Sequence, residues 1–143
     1  MEKIKEWLKK CELLKDEQIE SDYLGPDVNS NFSLEENTTP NPIISRNVLG
    51  TKTTRQRNFT LSGRFSFDKN NTKINDENMQ IMKNIAEWII SQELKHIYPE
   101  LNENETCTGI EITSSPFLYG LDKSLTYSRY NLQFKIIYEK RES

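Results

Sequence analysis

RQRNFTLSGRFSF, residues Arg55–Phe67, decides how this chain folds. Phe59, Leu61, Phe65 and Phe67 share one parity, and Thr60, Ser62, Arg64 and Ser66 share the other. Successive side chains of a strand point to opposite faces, so this period of two predicts a strand with one face buried and one solvated. The same logic closes the chain. Tyr130, Leu132, Phe134, Ile136 and Tyr138 all point one way in a final strand expected from about Leu125 to Tyr138. Between the two, Met79, Met82, Ile85, Ala86 and Ile89 recur at helical spacing, with Trp88 on the flank, and predict a helix over about 76–96. Asn75 is its expected N-cap.

Working outward, Ile4, Trp7, Leu8, Cys11 and Leu14 recur at steps of three and four and predict an N-terminal helix with one apolar face. Gly25-Pro26-Asp27 has the composition of a turn, and a short strand is expected over about 31–34. Glu35–Pro42 reads as an extended arm, because Pro40 and Pro42 lack the donor that a central strand needs. Ile43–Leu49 follows, and Gly50-Thr51-Lys52 turns the chain into the first long strand. Asp68–Lys73 and Asn102–Thr106 are polar loops, and Pro99 stops further helix. Gly109–Ser114 is expected as a short strand that Pro116 interrupts, leaving Phe117–Leu121 as an unusually apolar connector. No repeat or linker divides the chain. The expectation is one α+β domain over residues 1–143, with a mainly antiparallel sheet flanked by an N-terminal helix and a long central helix.

Composition narrows the function classes. A chain of 143 residues buries roughly two-thirds of its unfolded surface as one domain. Its hydrophobic content is 34% and its charged content 29%, which suits a small domain that completes its burial through partners. A formal net charge of −3 offers no basic field to recruit nucleic acid. The N-terminal segment has no uninterrupted apolar run and no window approaches a membrane span, so neither a signal peptide nor a membrane anchor is expected. Cys11 and Cys107 stand far apart without paired spacing, which excludes a disulfide framework or a thiolate zinc site and suggests a reducing compartment.

Catalytic groups are sparse. His96 is the sole histidine and sits where the second helix should end, a position suited to a capping or surface role. Ser62-Gly63 lacks the context of a nucleophile elbow, and five glycines form neither GxGxxG nor GxxxxGK[ST]. Asn102–Glu105 offers oxygen ligands without EF-hand spacing. No catalytic, cofactor or metal residue is therefore assigned. Two features remain. Arg46, Arg55, Arg57 and Arg64 form a basic set in and beside the first long strand. Phe117, Leu118, Tyr119 and Leu121 place four large apolar groups where a connector should be polar, which marks either a core cap or an interface.

The segments EWLKKCELLK at 6–15, DYLG at 22–25, NPIISRNVLGTKTTRQRNFTLSGRF at 41–65, AEWI at 86–89 and SRYNLQFKIIY at 128–138 resemble, in the same order, the small minor capsid or tail-completion proteins of Gram-positive tailed phages and prophages. The resemblance implies a structural virion protein at the head–tail joint: a tail terminator that acts as a six-membered ring on the head-proximal end of the tail tube. It implies self-association, a major tail-tube partner and a neck or head-completion partner, with DNA met only in passing through the channel. It also implies residence in the virion after synthesis in the host cytoplasm. On that reading some of Arg46, Arg55 and Arg57 are expected to face the channel or a neighbouring subunit, and Phe117, Leu118, Tyr119 and Leu121 to lie at an interface. A competing class is a prophage-encoded, non-enzymatic adaptor or inhibitor acting as a monomer or dimer.

Overall fold

The computed structural model describes residues 1–21, 31–124 and 126–142. In chain order the elements are α1 (Glu2–Leu8), β1 (Ile19–Ser21), β2 (Phe32–Asn37), β3 (Ile43–Arg46), β4 (Lys52–Ser66), α2 (Thr72–Lys95), β5 (Glu105–Leu121) and β6 (Tyr127–Arg141). The strands form one six-stranded sheet in the order β1-β2-β4-β6-β5, with β3 paired to the start of β4. All pairings are antiparallel except β1 with β2. The expected α+β architecture is the one observed.

Its spine is the ladder between β4 and β6, which runs unbroken from Lys52↔Arg141 to Ser66↔Tyr127. At about 3.4 Å per residue this ladder spans close to 50 Å. In this register Phe59 faces Phe134, Leu61 faces Leu132 and Gly63 faces Tyr130. The two alternating patterns thus fall on one face of the sheet, and the Phe59 and Phe134 rings stack at 5.4 Å. Phe59, Leu61, Leu132, Phe134 and Ile136 are completely buried, and Phe65 packs against them partly buried.

Helix α2 lays Met82, Ile85, Ala86 and Ile89 on that face. Gly63 lets it come close: a Cβ there would stand 2.9 Å from Met82 Sδ and 2.8 Å from the Phe65 ring. Asn71, rather than Asn75, caps the helix, its side chain accepting from the Ile74 N–H at 3.3 Å, so the helix begins a turn earlier than the sequence suggested. Asn75 instead donates to the Asp68 carbonyl. At the other end His96 takes a left-handed conformation, φ 56°, and closes the helix as its C-cap.

The N-terminal apolar stripe is buried as expected, but only Glu2–Leu8 is α-helical. From Leu8 the stripe steps by three, and the chain follows it with three-residue turns: Cys11 N–H to Leu8 O, Leu14 N–H to Cys11 O and Glu17 N–H to Leu14 O. Trp7 packs against Trp88 in a tilted arrangement, ring centres 5.0 Å apart, and donates its indole N–H to the Ile97 carbonyl. That contact ties both helices to one side of the sheet.

Three further boundaries differ from expectation. Glu35, Glu36 and Asn37 are not arm but the second half of β2, paired with Thr60, Phe59 and Asn58, and only residues 38–42 bridge to β3. The strand expected over Gly109–Ser114 begins at Glu105. It also continues through Pro116 to Leu121, so the supposed connector is the end of an edge strand. Register shifts between Ser114 and Phe117 and between Leu118 and Gly120 absorb the proline without breaking the ladder. The turn expected at 25–27 and the start of the last strand at 125 lie outside the described residues.

Candidate interaction surface

The face of the sheet opposite the helices carries the polar parity, and no described element covers it. Its centre is nevertheless tightly packed. Ser33, Thr60, Ser62 and Asn131 are buried by their strand neighbours. Ser62 Oγ donates to Asn131 Oδ1 at 2.7 Å and accepts from Arg129 Nη2 at 3.0 Å, while Asn37 Nδ2 donates to Thr60 Oγ1 at 2.8 Å. Small hydrogen-bonding side chains thus make a flat floor rather than a second core.

Toward the β5–β6 turn the sheet edge becomes apolar on both faces, since Phe117 pairs with Asn131 on the polar face and Leu118 with Tyr130 on the helix face. Phe117, Leu118, Tyr119 and Leu121 are all exposed, Tyr119 the most at 62%, along the outermost strand of the sheet. The sequence placed these four together correctly and misjudged their setting, because β5 is paired to β6 here through Phe117↔Asn131 and Leu118↔Tyr130. These four residues therefore sit on a paired edge strand rather than on a loop. Nothing in residues 113–121, TSSPFLYGL, is charged, so the edge lacks the lysines or glutamates that commonly guard one. A cavity of about 430 Å³ opens beside it, lined by Arg64, Tyr119, Gly120, Leu121, Asp122, Tyr127, Ser128 and Arg129.

Arg64 and Arg129 are direct cross-strand partners in this cavity. Arg64 lies 5.5 Å from the Tyr127 ring centre and Arg129 lies 5.2 Å from that of Tyr119. The Asp122 carboxylate holds the turn, accepting from Ser124 Oγ and from the Thr126 and Tyr127 N–H groups, and these bonds keep its pKa below the usual carboxylate range.

A second apolar feature lies at the far end of the long ladder. The hairpin between β3 and β4 presents Val48 and Leu49 at its tip, 103% and 82% exposed, with Ile44 half-exposed behind them. Gly50 closes this turn at φ 69°, a conformation that costs glycine nothing. The sequence reading placed Ile43–Leu49 between the arm and a turn without singling out Val48 and Leu49; the glycine turn directly after them was the available signal.

The three arginines singled out with a channel in view are not alike. Arg57 grips Glu36 with both Nε (2.9 Å) and Nη2 (2.7 Å), and this pairing lowers the Glu36 pKa and raises that of Arg57. Arg55 Nη2 meets Glu142 Oε1 at 2.7 Å and its Nε donates to Thr53 Oγ1. Arg46 is exposed at the end of β3, beside the hairpin tip.

The reactive residue types are set in unreactive surroundings. Cys11 and Cys107 are both buried free thiols, and burial pushes Cys107 up to about 11. His96 Nδ1 lies 3.0 Å from the Tyr98 hydroxyl. Among the described residues no group of three His, Cys, Asp or Glu side chains is placed to hold a metal ion, and no helix is long and apolar enough to cross a membrane. No family model and no curated protein sequence matches the chain.

Proposed function

We propose that this chain is a structural protein of a phage or phage-like tail, a tail-completion or terminator subunit that forms a closed ring at the head-proximal end of the tail tube and joins it to the neck. The observation that carries the reading is the pair of apolar surfaces at opposite ends of one 15-residue ladder: the edge at Phe117–Leu121 and the hairpin tip at Val48-Leu49. Two different apolar surfaces give one subunit two different contacts: the hairpin tip for the neighbouring copy, a contact that closes into a ring when the rotation permits, and the β5 edge for the tube or neck protein. The segments resembling tail-completion proteins supply the biological setting. The role is non-enzymatic. The partners are further copies of the chain, most simply six, with the tube protein below and a neck protein above, and DNA passes through without being read.

Of the three arginines, Arg46 is the one best placed to meet a neighbouring subunit or a phosphate, because Arg55 and Arg57 already spend their charge on Glu142 and Glu36. Electron microscopy of assembled tails tests the whole reading and should show the protein as a ring at the head-proximal end. Density at the baseplate or on the capsid shell would refute it. A monomer or dimer in solution that never enters particles would favour an adaptor or inhibitor instead.

A further inference from the structure

We infer that the cavity beside Tyr119 and Arg129 is a receptor for an acidic side chain carried on an extended segment of another protein. That segment would lie along the free edge of β5 and pass its carboxylate over Gly120 to Arg129. The inference rests on the preceding reading only in taking the β5 edge to meet a protein.

Four observations converge on it. First, Arg129 is underemployed. Its Nη2 donates to Ser62 Oγ, but its Nε is buried without a partner. A buried guanidinium donor left unpaired is costly, and its planar fork suits a carboxylate. Second, Arg129 stands directly opposite Arg64, and like charges facing across a ladder destabilise it. Arg64 has a further polar contact of its own, so the argument rests on Arg129 and on the shared positive field. Asp122, the only carboxylate among the described residues lining the cavity, is already committed to Ser124, Thr126 and Tyr127.

Third, Gly120 pairs with Arg129 on the neighbouring strand. Neither its backbone conformation nor crowding requires a glycine, since its φ is not positive and a Cβ there would meet nothing within 4 Å. What its bareness does is leave a lane open from the sheet edge to the guanidinium. Fourth, among the described residues the edge is paired on one side only, and it is uncharged from 113 to 121, so an incoming strand finds backbone partners and apolar ground at Phe117, Tyr119 and Leu121.

The occupant is a different protein because, among the described residues, this chain's own remaining edges do not match. β1 is three residues long and its Glu20 already accepts from Gln18, while β3 ends in a cation, Arg46. A cationic socket on an uncharged edge complements an acidic, otherwise apolar strand.

The test uses the full-length chain, isotopically labelled, titrated with a capped heptapeptide of alternating valine and threonine around a central glutamate. A twin peptide with central glutamine serves as the comparison. The glutamate peptide should bind about tenfold more tightly and shift the amide signals of residues 117–121 and 128–130, as expected for a charge-assisted bond. Arg129→Gln should abolish the preference. Gly120→Leu, which blocks the lane without touching the cation, should abolish it too while the melting temperature holds.

Equal affinity for the two peptides, shifts confined to other residues, or a preference that survives Gly120→Leu would overturn the assignment. So would inorganic phosphate reproducing the same shifts as strongly as the glutamate peptide. Self-association of the unliganded chain that Arg129→Gln abolishes would put a second copy in the socket, and would equally overturn it. The mass of the free chain is read separately. A monomer that discriminates between the peptides counts against the ring alone, and a ring that does not discriminate counts against the socket alone.

Discussion

Phe134 shows what one side chain does here. It lies at the middle of the β4–β6 ladder, stacked on Phe59 and 6.4 Å from Trp7, with no exposed surface. Phe134→Ala should cost about 3–5 kcal/mol, a large share of the 5–15 kcal/mol typical of a small domain. Lys135→Ala, one residue along and on the opposite face, loses only an exposed contact with Glu111 at 3.5 Å and should cost well under about 1 kcal/mol. Equal melting temperatures for the two variants would refute the register. Gly63 makes the opposite test. The Cβ of Gly63→Ala would press on Met82, Phe65 and Phe32, so this smallest of substitutions should destabilise by about 1–3 kcal/mol through overpacking. Unchanged thermal unfolding would mean that α2 sits farther from the sheet than described.

At the scale of an element, β2 is fastened to β4 by the forked Glu36–Arg57 pair. The pairing lowers the Glu36 pKa in the folded chain, chiefly through the hydrogen bonds from Arg57. Its stabilisation is therefore fully present above the ordinary glutamate value of 4.5 and fades as pH falls through the lower folded value. Both groups are partly exposed, so the effect belongs to the class of about 1 kcal/mol or less. Glu36→Gln should cost up to about 1 kcal/mol at neutrality and nothing well below the folded value, which flattens that part of the acid limb. An acid limb identical to that of the unaltered chain would rule the pair out as a contributor. β5 behaves differently, because its outer half protects nothing. Replacing Phe117 and Tyr119 with Ser should leave the fold near its original melting temperature while weakening assembly. Outright unfolding of that double variant would show that the edge is core.

For the molecule as a whole, the distribution of apolar surface matters more than its amount. The helices and one sheet face close around a core, while the exposed large apolar groups concentrate at the β5 edge, at the hairpin tip, along the outer side of α2 at Ile90 and Leu94 and just past its end at Ile97. A ring reading predicts that the hairpin is used between subunits. Val48→Thr with Leu49→Ser should leave the isolated chain folded, since both side chains are almost fully solvated, and should shift the assembled species toward monomer in a mass measurement. An unchanged assembly would leave the tip without a role in ring closure.

The alternating residues of 55–67 and 130–138 determined by themselves that two long strands share a buried face, and the spacing from Met79 to Ile89 determined the helix that covers it. Both are local periodicities, and local geometry suffices to read them. The N-terminal stripe fixed which side chains are buried but not that the α-helix ends at Leu8, because steps of three fit tight turns as well as a helix. The pairing order, the parallel β1–β2 contact and the continuation of β5 past Pro116 came only with the tertiary structure. They depend on partners up to dozens of residues away and on bulges that the sequence does not announce. The site divides in the same way. The apolar cluster at 117–121 was legible as a run of large side chains. The pairing of Arg57 with Glu36, of Arg55 with Glu142, and of Arg129 with Gly120 and Tyr119 was not, because strand register alone brings those residues within reach of one another.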